Sequence, residues 1–106
     1  MVKSVDEEPH ARLQRWGVMA DFSGYRLVGI HAGTGRGRVS SPIVAYDSHA
    51  RIVETESGRR YHLVGDPDPD MAAAIIRIHA ARWGVPADKV AMAMPEELDE
   101  FLGPRP

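Results

Sequence analysis

An α+β domain is the fold class this chain predicts: a small antiparallel bent sheet of about five strands, followed by one packed helix and a short C-terminal helix. Three observations predict it. Apolar stretches of strand length, broken by glycine, proline and aspartate turns, fill residues 11–65. A break rich in proline and aspartate at residues 65–70 then gives way to apolar residues at helical spacing. The length of 106 residues, with 43% hydrophobic and 26% charged, suits a single domain that buries roughly two-thirds of its unfolded surface.

The elements follow in order. Residues 1–10 combine charge with Pro9 and lack an apolar period, so they read as a flexible N-terminus, with the domain proper over residues 11–103. The first strand, from Leu13, sets Trp16, Val18 and Ala20 on one face and stops at the turn Asp21-Phe22-Ser23-Gly24. The second strand, residues 25–31, has the nearly continuous apolar centre Leu27-Val28-Gly29-Ile30, the pattern of a strand covered on both faces. A mobile, protruding loop follows, Ala32-Gly33-Thr34-Gly35-Arg36-Gly37-Arg38. In the third strand, residues 39–46, Pro42 cannot donate to a ladder and demands an edge, a bulge or a strand start. A homodimer through an open edge there, or through the final helix, would be compatible with this reading.

Segments 51–55 and 59–64 flank Glu56-Ser57-Gly58, a hairpin spacing that asks Gly58 for a positive φ and turns Tyr61 and Leu63 to the core. The helix spans residues 69–83, with Asp68 as N-cap, Pro69 in its first position and Gly84 as its stop. Its apolar face is read from Met71, Ala74, Ile75 and Ile78, with Arg82 continuing the same spacing. After Val85-Pro86, residues 87–94 read as strand in preference to a helical turn, and residues 96–102 as a short acidic helix with the stripe Leu98, Phe101 and Leu102.

Charge is distributed unevenly. Eight arginines face four carboxylates over residues 10–62, whereas four cations face eight carboxylates over residues 63–106. The favoured reading is attraction between the two halves of one fold, with steering of a charged partner second. No cysteine is present, so disulfides, thiolate catalysis and cysteine metal sites drop out, in keeping with a reducing cytoplasm. The acidic start lacks a signal-peptide core and no window approaches about 18 apolar residues. A cytoplasmic protein without a membrane segment is expected.

Chemical motifs are absent or broken. The loop Gly33-Thr34-Gly35-Arg36-Gly37 invites a phosphate cradle, but Arg38-Val39-Ser40 leads into a strand instead of the lysine and helix start of a P-loop. The histidines His10, His31, His49, His62 and His79 show no H-x-H or H-E-x-x-H spacing, and no metal site is expected. Ser40, Ser41, Ser57 and His62 lack a nucleophile elbow, so no catalytic residue is assigned. Asp66, Asp68 and Asp70 alternate like a calcium ladder, yet Pro67 and Pro69 and the missing terminal glutamate make capping the better explanation. Aromatics among basic residues, at Arg12, Arg15 and Trp16 and at Arg59-Arg60-Tyr61-His62, do not follow the strand order of an RNA-recognition sheet. Trp16 and Tyr61 are expected in the core.

The run Ser41-Pro42-Ile43-Val44, then Val53-x-Thr55-x-Ser57-Gly58-x-x-Tyr61-x-Leu63-x-Gly65, with Trp16 and Leu27-x-Gly29 before it, resembles a group of small bacterial proteins of unassigned function. The resemblance covers about half the chain and implies a small antiparallel sheet; it carries over no catalytic residue.

Without cofactor motif or acid–base cluster, the leading expectation is a non-enzymatic protein-binding accessory module of a bacterium or mobile element. Its concrete form is a partner of a larger protein complex, such as an inhibitor of a host defence complex of the anti-CRISPR kind. The expected partner-binding residues are Arg36, Arg38, Arg59 and Arg60, with no cofactor. The first rival is nucleic-acid binding through the same four arginines. The second is a small enzyme with a site among His31, His62 and nearby carboxylates.

Overall fold

The computed structural model describes residues 4–86 and 90–93. Six strands and one helix follow one another as β1 (His10–Asp21), β2 (Gly24–His31), β3 (Gly37–Asp47), β4 (Ile52–Thr55), β5 (Arg60–Val64), α1 (Pro69–Trp83) and β6 (Ala91–Ala93). The α+β class therefore stands, with a sheet one strand larger than expected. Strand bounds differ from the expected ones by a few residues, and α1 matches its expected span. The expected helix at residues 96–102 lies outside the described residues.

The first five strands form a meander, each antiparallel to the next, and β1 also pairs with β5, so the sheet closes on itself as a small barrel. With an odd number of alternating strands, the first and last must run in the same direction. The β1–β5 pair is accordingly parallel, with His10 opposite Arg60 and Gln14 opposite Val64, which corrects the all-antiparallel expectation. The far half of β1 takes β6 on the same edge, antiparallel, Val18 opposite Ala93. The strand reading of residues 91–93 is thus correct.

Between the two halves of β1 the pairing with β2 slips, leaving Arg15 and Trp16 outside the register, and Arg15 adopts φ 48°. This bulge turns Trp16 inward, where its indole N–H donates to the Gly65 carbonyl at 3.1 Å and its own carbonyl accepts from the Asp68 N–H at 2.8 Å. The bulge thereby fixes where the helix begins. Asp68 caps α1 through a bond from the Met71 N–H at 3.0 Å, reinforced by the Arg15 guanidinium at 3.0 Å. Gly84 ends the helix at φ 65°, as its position in the sequence requires.

Alternation splits the interior into two clusters. Ala11, Leu13, Trp16, Val18, Leu27, Ile43, Tyr46, Val53, Tyr61 and Leu63 fill the barrel, joined by Ala93. Met19, Val28, Ala72, Ile75 and Ile76 form the seam between the barrel and α1. Trp16, Tyr61 and Leu63 are buried as expected. The helix face is rotated from the one read in the sequence: Ala72, Ile75, Ile76 and Ala80 are buried while Ile78 is exposed. Small residues make this seam close, since Gly17 lies directly under Ala72 and a Cβ at position 17 would come within 2.4 Å of the Ala72 Cβ.

Pro42 is not at an open edge. It lies opposite Arg26 of β2, its carbonyl accepts from the Glu56 N–H at 2.8 Å, and the register shifts on either side of it. The bulge is therefore the reading that holds, and the homodimer route through a Pro42 edge is removed. Gly58 takes φ 93° in the β4–β5 turn, as the hairpin spacing predicts.

Candidate functional site

The four sequence-predicted arginines do not form one patch. Arg59 is 6% exposed, and its Nε–H donates to the Glu8 carbonyl at 2.9 Å. Arg38 points its guanidinium at the Glu8 carboxylate, 3.1 Å away, with a side chain only 10% exposed. Arg36 is exposed at the β2–β3 turn, and Arg60, exposed on β5, pairs with Glu54 at 3.3 Å. Two arginines are thus committed inward and two face solvent.

Glu8 is the residue that gathers the inward pair, a role its place in a charged, aperiodic terminus does not announce. Its carboxylate also meets His31 Nε2, at 3.1 and 3.2 Å to its two oxygens. The His31 Nδ1 accepts from the Gly33 and Thr34 N–H groups, both at 3.1 Å. A ring nitrogen that accepts twice carries no proton, so the proton of this imidazole sits on Nε2 and is donated to Glu8. Partial burial pushes the Glu8 carboxyl upward, but the hydrogen bonds from Arg38 and His31 outweigh it and hold the group below the ordinary glutamate value. The whole arrangement clamps residues 8–10 across the ends of β2, β3 and β5. The side-chain donors of Arg38, His31 and Arg59 all converge on Glu8, which makes the arrangement a clamp on this segment.

A histidine pair sits on the outside of the barrel. Parallel pairing of β1 and β5 brings His10 and His62 onto the same face, with Nδ1 and Nε2 2.9 Å apart. Among the described residues, no three His, Cys, Asp or Glu side chains group around a common point. His31 and His62, joined in the small-enzyme reading, lie apart: the first is buried against Glu8 and the second faces outward.

The other exposed chemistry is apolar. Phe22, at the tip of the β1–β2 turn, is 92% exposed, and Trp83, in the last turn of α1, is 72% exposed. His79 lies beside Trp83, with ring centroids 6.1 Å apart and planes tilted by 49°. Burial, assisted by Arg26 and opposed by Asp21, lowers the His79 pKa. Asp21 is itself held below its ordinary value: burial raises it, and bonds from Ser23 and Arg26 more than compensate. An apolar groove of about 250 Å³ lies between α1 and β6, lined by Ala73, Ile76, Arg77, Ala80, Val90 and Met92.

No family model, curated protein or solved structure matches the chain. Its chemistry therefore rests on these surfaces alone. No helix among the described residues is long and apolar enough to cross a membrane.

Proposed function

We propose that the chain is a non-enzymatic protein-binding module, an accessory protein that occupies the surface of a larger protein complex, as an inhibitor of a host defence complex would. The single observation that carries this reading is the exposure of large apolar side chains. Phe22 and Trp83 project into solvent, and Met92, also exposed, lines an apolar groove between α1 and β6. Large aromatics bury much area at little conformational cost, and exposed clusters of them mark docking surfaces more often than chance. The contact surface moves accordingly from the four arginines to Phe22, Trp83 and Met92.

Affinity capture from a bacterial lysate, run with and without nuclease, tests this reading. The expected result is one stoichiometric protein that survives nuclease and is lost with Phe22→Ser/Trp83→Ser. Capture that disappears with nuclease, or that the double variant retains, overturns it.

A further inference from the structure

A different face of the barrel carries a separate chemistry. Alternation along β1 and β5 sends Ala11, Leu13, Tyr61 and Leu63 inward, and so turns His10, Arg12, Arg60 and His62 outward. Parallel register places His10 beside Arg60 and Arg12 beside His62, a checkerboard of two arginines and two histidines. Neighbouring strands lie about 4.8 Å apart and next-but-one residues about 6.6 Å apart, so these four groups cover an area wide enough for more than one phosphate. Arg12 is exposed and makes no ion pair among the described residues.

We propose that the outward β1–β5 face binds the phosphate backbone of a nucleic acid, and that protonation of the His10–His62 pair strengthens this binding. The hydrogen bond between the rings requires one nitrogen to donate and the other to accept, so at least one ring is neutral while it exists. Protonating both rings turns the two facing nitrogens into donors. The bond is then lost, and two cations join Arg12 and Arg60.

Among the described residues, few charged groups stand around the pair on the neighbouring strands. Arg60 and Arg12 flank it on β5 and β1, and Glu54 approaches from β4 through its 3.3 Å pair with Arg60. Opposite His62 on β4 stands the apolar Ile52, and beyond it on β3 lies Asp47. From the N-terminal side, the Glu8 carboxylate is occupied by Arg38 and His31. With neutral histidines Glu54 offsets Arg60, and Arg12 is left as the net positive charge. With both protonated, four cations stand against Glu54 and the more distant Asp47, and an anionic polymer gains two further contacts. No phenylalanine, tyrosine or tryptophan of β1 or β5 is exposed here, so the contact is carried by charge to the backbone.

The test is fluorescence anisotropy with a labelled single-stranded oligonucleotide across a salt series at about pH 7.5 and about pH 5.5, a range over which histidine changes charge. Two added phosphate contacts steepen the plot of log affinity against log salt by about 1.4 at the lower pH, at roughly 0.7 per contact for single strands. His10→Gln/His62→Gln removes that increment while leaving the other three histidines in place, and Arg12→Gln lowers the slope by about 0.7 at both pH values. All three positions are on the outer surface, and an unchanged thermal melt confirms that the variants fold. Absence of binding at low salt and pH 5.5, persistence of the pH increment in the double histidine variant, or equal competition by polyglutamate of the same charge overturns the proposal. Phe22→Ser/Trp83→Ser leaves oligonucleotide binding unchanged, which separates this outcome from that of the protein-binding module.

Discussion

Replacing Glu8 by glutamine removes one negative charge while keeping the side chain's size, and the structure sets the cost. The partners left behind are nearly enclosed, with side-chain exposures of 10% for Arg38 and 8% for His31, against 20% for Glu8 itself. Hydrogen bonds to a charged group contribute about 1.5–3 kcal/mol, and breaking a fully buried pair costs about 3–5 kcal/mol. Glu8 is partly solvated and glutamine keeps one acceptor oxygen, so the net loss for Glu8→Gln is about 1.5–3 kcal/mol at neutral pH. For a domain of this size that lowers Tm by roughly 6–20 °C.

The pH dependence gives a sharper criterion. The folded Glu8 carboxyl lies below its ordinary value, so its contribution is complete above the unfolded glutamate pKa and is lost as pH falls through the folded one. Thermal unfolding followed by circular dichroism at about pH 7 and about pH 3, the two sides of the carboxylate range, should show wild type and Glu8→Gln well apart at the first and converging at the second. A variant as stable as wild type at pH 7, or a difference that persists unchanged at pH 3, refutes the clamp.

Other expected outcomes follow from the packing and the exposed groups. Gly17→Ala forces its Cβ against Ala72 and should cost about 1–3 kcal/mol, less the roughly 0.5–1 kcal/mol that alanine gains over glycine in a strand; chemical denaturation should show Ala72→Gly recovering part of the loss. Phe22→Ser and Trp83→Ser, at exposed positions, should each change stability by no more than about 0.5 kcal/mol while abolishing partner capture. His79, lowered by burial and by Arg26, favours its neutral form in the fold, so its contribution is complete above the unfolded histidine pKa and shrinks as pH falls below it; His79→Gln should lose less stability than wild type between about pH 7 and about pH 5.

The elements most legible in sequence were those with local punctuation. Asp68, Pro69 and Gly84 delimit α1 by capping chemistry that acts within a few residues, and Gly58 marks its turn because only a positive φ closes it. What escaped depends on distant partners. The parallel β1–β5 pairing joins segments that no local pattern relates, and with it went the outward His10 and His62 pair. The helix face was misassigned because Ala72 and Ala80 pack where glycine and small neighbours permit close approach, while the larger Ile78 looks more like a core residue than it is. Glu8 was hidden for a different reason: nothing in a charged, proline-flanked terminus distinguishes a carboxylate that receives Arg38 and His31 from one that receives water.

The closing pair also bears on how the chain emerges from a ribosome. His10 and its partner Arg60 are 50 positions apart, so β1 finds β2 almost at once but waits for its other neighbour until β5 has been made. At about 5–20 residues per second that wait lasts roughly 3–10 s. During it, one edge of the first strand is bare and able to recruit a strand from another nascent chain. Histidine at position 10 and arginine at position 12 line the waiting segment, and like charges along such an edge discourage two copies from pairing before the ring is complete.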